Sequence, residues 1–113
     1  MRAWRDQEPG IHSHSGIGAH GRAKYADDFA ALVDEFTKAT RAEPGNISFD
    51  WYRSADDPNL WVLIEVFRDR ASGDAHVESA HFKAAMEKMP RLLAAAPEII
   101  NVEVPGDSWS QMS

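Results

Sequence analysis

The stretch "GDAHVESAHF", residues 73–82, carries two histidines inside a segment whose composition is otherwise helical. An α-helix shows one face at spacings of three and four, so His76 and His81, five apart, do not form a simple helical metal clip. Imidazole changes charge near neutral pH, which makes proton transfer the chemistry these residues suit. His76 is the candidate base, and His81 stands where a second helix would start, with free N–H groups that favour an anionic ligand. Glu65 is the telling carboxylate. In "LWVLIEVF" its strand parity puts it in a row with Trp61, Leu63 and Phe67, and an acid in an apolar row needs a partner or a raised pKa. Lys83 or Arg91 could pair with it, or it could be the polar handle of a ligand pocket. A third group, His12 and His14 of "HSH", shares one strand face with His20. As a metal site it needs a further ligand, and the stronger reading is that His14 lines a pocket from the first strand. "GIGAHG" lacks the spacing and the lysine of a phosphate loop.

These residues need elements to position them. Residues 1–10 are charged and end in Pro9-Gly10, a composition that reads as a flexible arm. Residues 11–19 alternate as a strand does, and Gly16 and Gly18 leave room beside it. From Lys24 to Ala42, apolar positions at Phe29, Leu32, Val33 and Phe36 recur at three and four, and "EPG" ends the pattern, so the spacing predicts one helix. "NISFDWYR" and "LWVLIEVF" flank the turn-forming "SADDPN" and read as a hairpin. The next helical stretch breaks near Glu78-Ser79, with Ser79 as cap of a second helix bearing Phe82, Met86 and Met89. "EIINVEV" is a final strand, and residues 106–113 read as a mobile tail. The order strand, helix, strand, strand, helix, strand is the split βαβ pattern of ferredoxin-like α+β domains, one domain over residues 11–105. Two helices cover one face of such a sheet. Val62, Ile64 and Val66, with Ile100, Val102 and Val104 or their odd-numbered neighbours, then leave an apolar patch that a second copy would cover.

Composition narrows the partners. Eighteen acidic against twelve basic residues give a net charge of −6, which repels nucleic acid and anionic membranes. There is no cysteine, hence no disulfide, thiolate metal site or cysteine nucleophile. The first residues lack the apolar core of a secretion signal and no run is long enough to span a bilayer, so the expected location is cytoplasmic.

The segment "TRAEPGNISFDWYRSADDPNLWVLIEVFRDRASGDAHVESAHFKAAM" resembles the core of the antibiotic biosynthesis monooxygenase domain, including small proteins described as quinol monooxygenases. The resemblance rests on the "EPG", the aromatic-alternating strand, the "DDPN" turn, a strand with Glu before an aromatic, an Ala-x-x-x-His helix and a Ser-x-His-Phe start to the next. It implies a dimeric α+β barrel with a pocket between helices and sheet in each subunit. It further implies oxidation of phenolic or quinol substrates by molecular oxygen without metal, flavin or haem. Where members that degrade haem carry a Trp, a His and a first-strand Asn, this chain has Phe67, Met86 and no asparagine, which argues against haem. Where members acting on aromatic polyketides carry an Asn, a Trp and an Arg, it has Leu63, Phe67 and Lys83, so only the cation is kept, as a point charge without arginine's fork. The resulting expectation is a homodimeric, cofactor-independent monooxygenase acting on a small aromatic. In it His76 is the base, His81 and Lys83 stabilise developing negative charge, and Trp61, Leu63, Phe67, Phe82 and Met86 form a dry box with Glu65 and His14 at its edge. Rival readings are an isomerase or tautomerase on a small keto compound and a non-catalytic dimer that binds an aromatic metabolite.

Overall fold

Residues 11–106 and 109–112 are described by the computed structural model, and the expected arm over residues 1–10 lies outside them. The strands are β1 (Ile11–His20), β2 (Asn46–Arg53), β3 (Leu60–Phe67) and β4 (Glu98–Pro105). The helices are α1 (Phe29–Leu32), α2 (Asp34–Arg41), α3 (Arg70–Glu78) and α4 (Ala80–Leu92), with a short 3-10 turn at Ala23–Tyr25. All strand pairs are antiparallel in the order β2-β3-β1-β4, which is the ferredoxin-like α+β topology. The hairpin forms where expected because its turn ties itself together. Ser54 Oγ accepts from the N–H groups of Asp56 and Asp57, and Asp57 Oδ1 accepts from Asn59 N–H at 2.9 Å.

Register assigns the two faces. Ser15 pairs with Glu65 on one side and Asn101 on the other, so Ser13, Ser15, Ile17 and Ala19 point with Leu63, Glu65 and Phe67 towards the helices. His12 and His14 have the opposite parity and share the far face with Val62, Ile64, Val66, Val102 and Val104. The expectation that His14 lines the helix-side pocket is therefore corrected, because a strand's period of two cannot place it beside Glu65. Its Nε2 bonds instead to the carbonyl of Gly106 at 2.7 Å. Gly106 has φ +110°, a conformation that favours glycine, where the chain leaves β4. Further on, Trp109 packs edge-on against Tyr52 of β2, at the other edge of the sheet, with ring centroids 6.5 Å apart.

On the helix side, Phe29, Val33, Met89, Leu92, Leu93 and Ala19 form the buried core, flanked by Phe36, Trp51 and Trp61. The single helix expected over Lys24 to Ala42 is divided into α1 and α2. Val33 sits between them at φ −103°, ψ 6°, and its carbonyl accepts from both the N–H and the hydroxyl of Thr37. A β-branched residue stiff at χ1, fully buried, and a threonine bonding back to it explain a break that apolar spacing does not show. Among the described residues no helix is long and apolar enough to cross a membrane.

The turn after α2 lies hard against α3. A Cβ on Gly45 would come within 2.2 Å of Ser72 Oγ and 3.3 Å of the Ser72 Cα, while Gly45 and Pro44 carbonyls accept from Arg68 N–H and its guanidinium. Gly45→Ala is expected to destabilise the chain by about 1–3 kcal/mol, the usual cost of overpacking, measured by denaturant unfolding with unchanged m-value.

Candidate active site

Four elements converge beneath the aromatic layer. β3 supplies Glu65, α3 supplies His76, the first turn of α4 supplies His81, and the turn between α2 and β2 supplies Glu43. The expected break at Ser79 is the device that aligns the histidines. Ser79 is extended (φ −69°, ψ 154°), its Oγ accepts from Phe82 N–H and donates to the His76 carbonyl, and the axis is reset between the two rings. Imidazoles five residues apart, which a continuous helix would splay, stand with centroids 6.0 Å apart. Glu43 Oε2 accepts from both, at 2.8 Å from His76 Nδ1 and 2.5 Å from His81 Nε2.

His76 is 2% exposed and boxed by Phe67, Phe82, Phe36 and Phe49 at centroid distances of 4.9, 5.2, 5.7 and 6.0 Å. With Nδ1–H given to the Glu43 carboxylate, neutral His76 keeps its lone pair on Nε2, which lies 4.0 Å from Glu65 Oε2. Glu65 is 7% exposed, and burial first, then repulsion from Glu43, pushes its pKa up to about 7. The partner expected for Glu65, Lys83 or Arg91, is thus replaced by His76 and the opposing Glu43.

His76 and Glu65 stand at the junction of two cavities. One, about 220 Å³, is apolar and walled by Phe36, Trp51, Leu63, Phe82 and Met86. Trp51 is fixed there by its indole N–H, which donates to Thr37 Oγ1 at 2.9 Å. The other, about 300 Å³, is polar and holds Ser13, Ser15 and Asn101, with Asn101 Nδ2 donating to both hydroxyls, and the Arg70–Glu103 ion pair at its rim.

Of the residues singled out from sequence, His76, Glu65, Leu63, Phe82 and Met86 meet at the apolar cavity, and Phe67 meets His76 from the polar side. Three do not. Lys83 is exposed on the outer side of α4. Trp61 stacks on Phe29 at 5.2 Å in the core, and His14 lies across the sheet. His81 reaches the site through Glu43 rather than from the cavity wall. Sequence reasoning missed Glu43 as a site residue, reading "EPG" as a helix stop. An acid fixed between a helix end and Pro-Gly is the only local signal it offers. The donor atoms of Glu43, His76 and His81 all lie within 4.8 Å of one another, a span that one metal ion can bridge.

Comparison with known proteins identifies the family and the fold. The family model described as antibiotic biosynthesis monooxygenase matches residues 19–88, well over half of the chain. The "Putative monooxygenase Rv0793" of Mycobacterium tuberculosis is 39% identical over 71% of this chain and 77% of its own length. Its solved structure superposes with a TM-score of 0.76, covering 88% of this chain and 99% of that one at 29% identity. A protein of Synechocystis, sll1783, is 38% identical over 65% of this chain, a match that spans only 50% of that longer relative. The structure of the "Putative antibiotic biosynthesis monooxygenase from Nitrosomonas europaea" gives a TM-score of 0.77 at 26% identity, covering 83% and 90%.

Glu65 sets a measurable pH dependence. Its carboxyl holds its proton in the folded state to a higher pH than when unfolded, so the folded chain loses stability as pH rises from about 4.5 through about 7. Glu65→Gln is expected to remove that loss, up to roughly 3 kcal/mol between pH 4.5 and 8, in paired urea titrations with chelator present. Parallel curves for the two proteins would contradict the assignment.

Proposed function

The chain belongs to the antibiotic biosynthesis monooxygenase family, and on that premise we propose that it is a cofactor-independent monooxygenase that oxidises a quinol-like or phenolic aromatic with molecular oxygen. One observation carries the reading: an imidazole anchored through Nδ1 to a carboxylate lines an apolar, aromatic-walled cavity and has no hydrogen-bond partner closer to its Nε2 than Glu65 at 4.0 Å. A flat ring fits between Phe82, Trp51 and Met86. His76 Nε2 accepts the phenolic proton, and Glu43, held in turn by His81, stabilises the imidazolium that results. Burial strengthens that attraction and keeps water from the oxygenated intermediate. The phenolate supplies the electrons. One oxygen atom bonds to a ring carbon, the hydrogen there is lost with the phenolic proton, and the second oxygen atom leaves as water, so that a phenol becomes a quinone. Glu65, with its pKa near neutrality, is placed to pass protons between the cavity and His76.

The same pair of groups, Glu65 and His76 at 4.0 Å, also suits a tautomerase that moves a proton without oxygen. Turnover of a keto substrate under strict anaerobiosis would favour it over the oxygenase.

The working unit we propose is a homodimer. On the far face, Val66 is buried, but Ile100 is 72% exposed and Val102 and Val104 remain open beside it on β4, a stripe suited to a second copy. Ile100→Asp should shift the sedimentation coefficient from dimer to monomer. An unchanged single species of monomer size in both proteins would remove the dimer.

With a dihydroxynaphthalene as substrate, His76→Ala is expected to lower oxygen uptake at least about 100-fold, and Glu43→Gln about 10-fold or more, while both remain folded by circular dichroism. Unchanged uptake in His76→Ala would remove the assigned base.

A further inference from the structure

The Glu43 carboxylate oxygen that bonds both imidazoles completes a set of one oxygen and two nitrogens, all within 4.8 Å of one another. Donors around a tetrahedral ion at 2.0–2.2 Å stand about 3.4 Å apart, so the two N–H···O contacts need to open by roughly 1 Å or less to admit one. We propose that Glu43, His76 and His81 bind one divalent ion of the zinc class, and that this ion switches His76 off as a base.

The donor chemistry matches such an ion: imidazole nitrogens with a carboxylate, no thiolate, and an arrangement of three protein ligands that leaves a position open. A candidate outer partner stands about 1 Å beyond hydrogen-bond reach. A metal-binding histidine characteristically gives its other ring N–H to a carboxylate, and Glu65 stands 4.0 Å from His76 Nε2. Access comes from the surface side, where the His81 side chain is 27% and that of Glu43 15% exposed. Neither Glu43 nor His81 lines the cavity that would receive substrate, so the ion need not pass through it.

Binding and base function exclude each other at one atom. Without metal, the Nδ1 proton of His76 is held by Glu43 and the lone pair is on Nε2. A metal takes the Nδ1 lone pair, so the proton moves through solvent to Nε2, where the ring becomes a donor towards Glu65 and can no longer accept a proton from a phenol. His81 exchanges tautomer in the opposite sense, from Nε2–H to Nδ1–H, and neither ring changes its net protonation. The ion is thus a regulator rather than a cofactor. The switching part of this inference rests on the function proposed above; the binding part does not.

The test uses the untagged, chelator-stripped full chain titrated with zinc chloride by calorimetry and with cobalt chloride by visible absorption. One ion per chain is expected. Glu43→Gln, isosteric, and His81→Ala, at a half-buried position, should each weaken binding at least tenfold, while His20→Ala, at an exposed strand end, should not alter it. Absence of saturable binding, or binding undiminished in both variants, would overturn the site. In a parallel oxygen-uptake assay, saturating zinc should lower the wild-type rate at least tenfold, reversed by chelator. Zinc bound with full activity retained would overturn the switch and leave the site standing. A stripped enzyme with no oxygen uptake would instead count against the proposed oxygenase and leave metal binding untouched.

Discussion

The structure is organised around a carboxylate that two imidazoles share. Glu43 meets His76 and His81 at 2.8 and 2.5 Å within an aromatic box, and this charge-assisted pair of bonds ties together three parts of the chain distant in sequence. In water such contacts contribute little; at His76, inside a ring of phenylalanines, the contact fixes tautomer and ring orientation because little solvent reaches the donor. The glycine of the "EPG" turn follows from that constraint, since any larger residue would hold the Glu43 loop away from α3.

A second carboxylate pressed against the first explains the site's chemical character. Glu65 and Glu43 approach His76 from opposite sides, one through Nε2 and one through Nδ1. Burial first, and repulsion from the Glu43 charge second, raise the pKa of Glu65 to about 7, so it remains partly protonated near neutral pH. In the function proposed above, the base, the acid and the anchoring anion come from two glutamates and one histidine. No strongly reactive residue is required, and the adjoining cavities divide the surroundings into an apolar half and a hydroxyl-lined half.

The sheet imposes the remaining asymmetry. Its helix side carries Leu63, Glu65, Phe67, Ser13 and Ser15 into the site, and its other side carries branched aliphatics and the histidines of "HSH". Because β-strand parity is strict, His14 takes part in the far face and bonds the chain beyond β4, and does not stand beside Glu65 on the helix side. Lys83 fails for the corresponding reason on a helix, where one step along the chain from Phe82 turns the side chain by about 100° and out to solvent.

Periodicity carried much of this protein into view before any coordinates. Alternation in "NISFDWYR" and "LWVLIEVF" determined the hairpin, the order of elements determined the α+β topology, and Ser79 announced the break between α3 and α4. Those are local signals, set by side-chain spacing and backbone preference within a few residues. The position of His76 in an aromatic pocket was legible through the family motif; the division of the first helix at Val33 was not, because it answers to burial and a threonine hydroxyl. Tertiary structure alone decided the partnership of residues 43, 65, 76 and 81. Hydrogen bonds and Coulomb forces act over a few ångströms of space, and a sequence records only distance along the chain, so a glutamate 33 positions before His76 gives no sign that it will hold the ring.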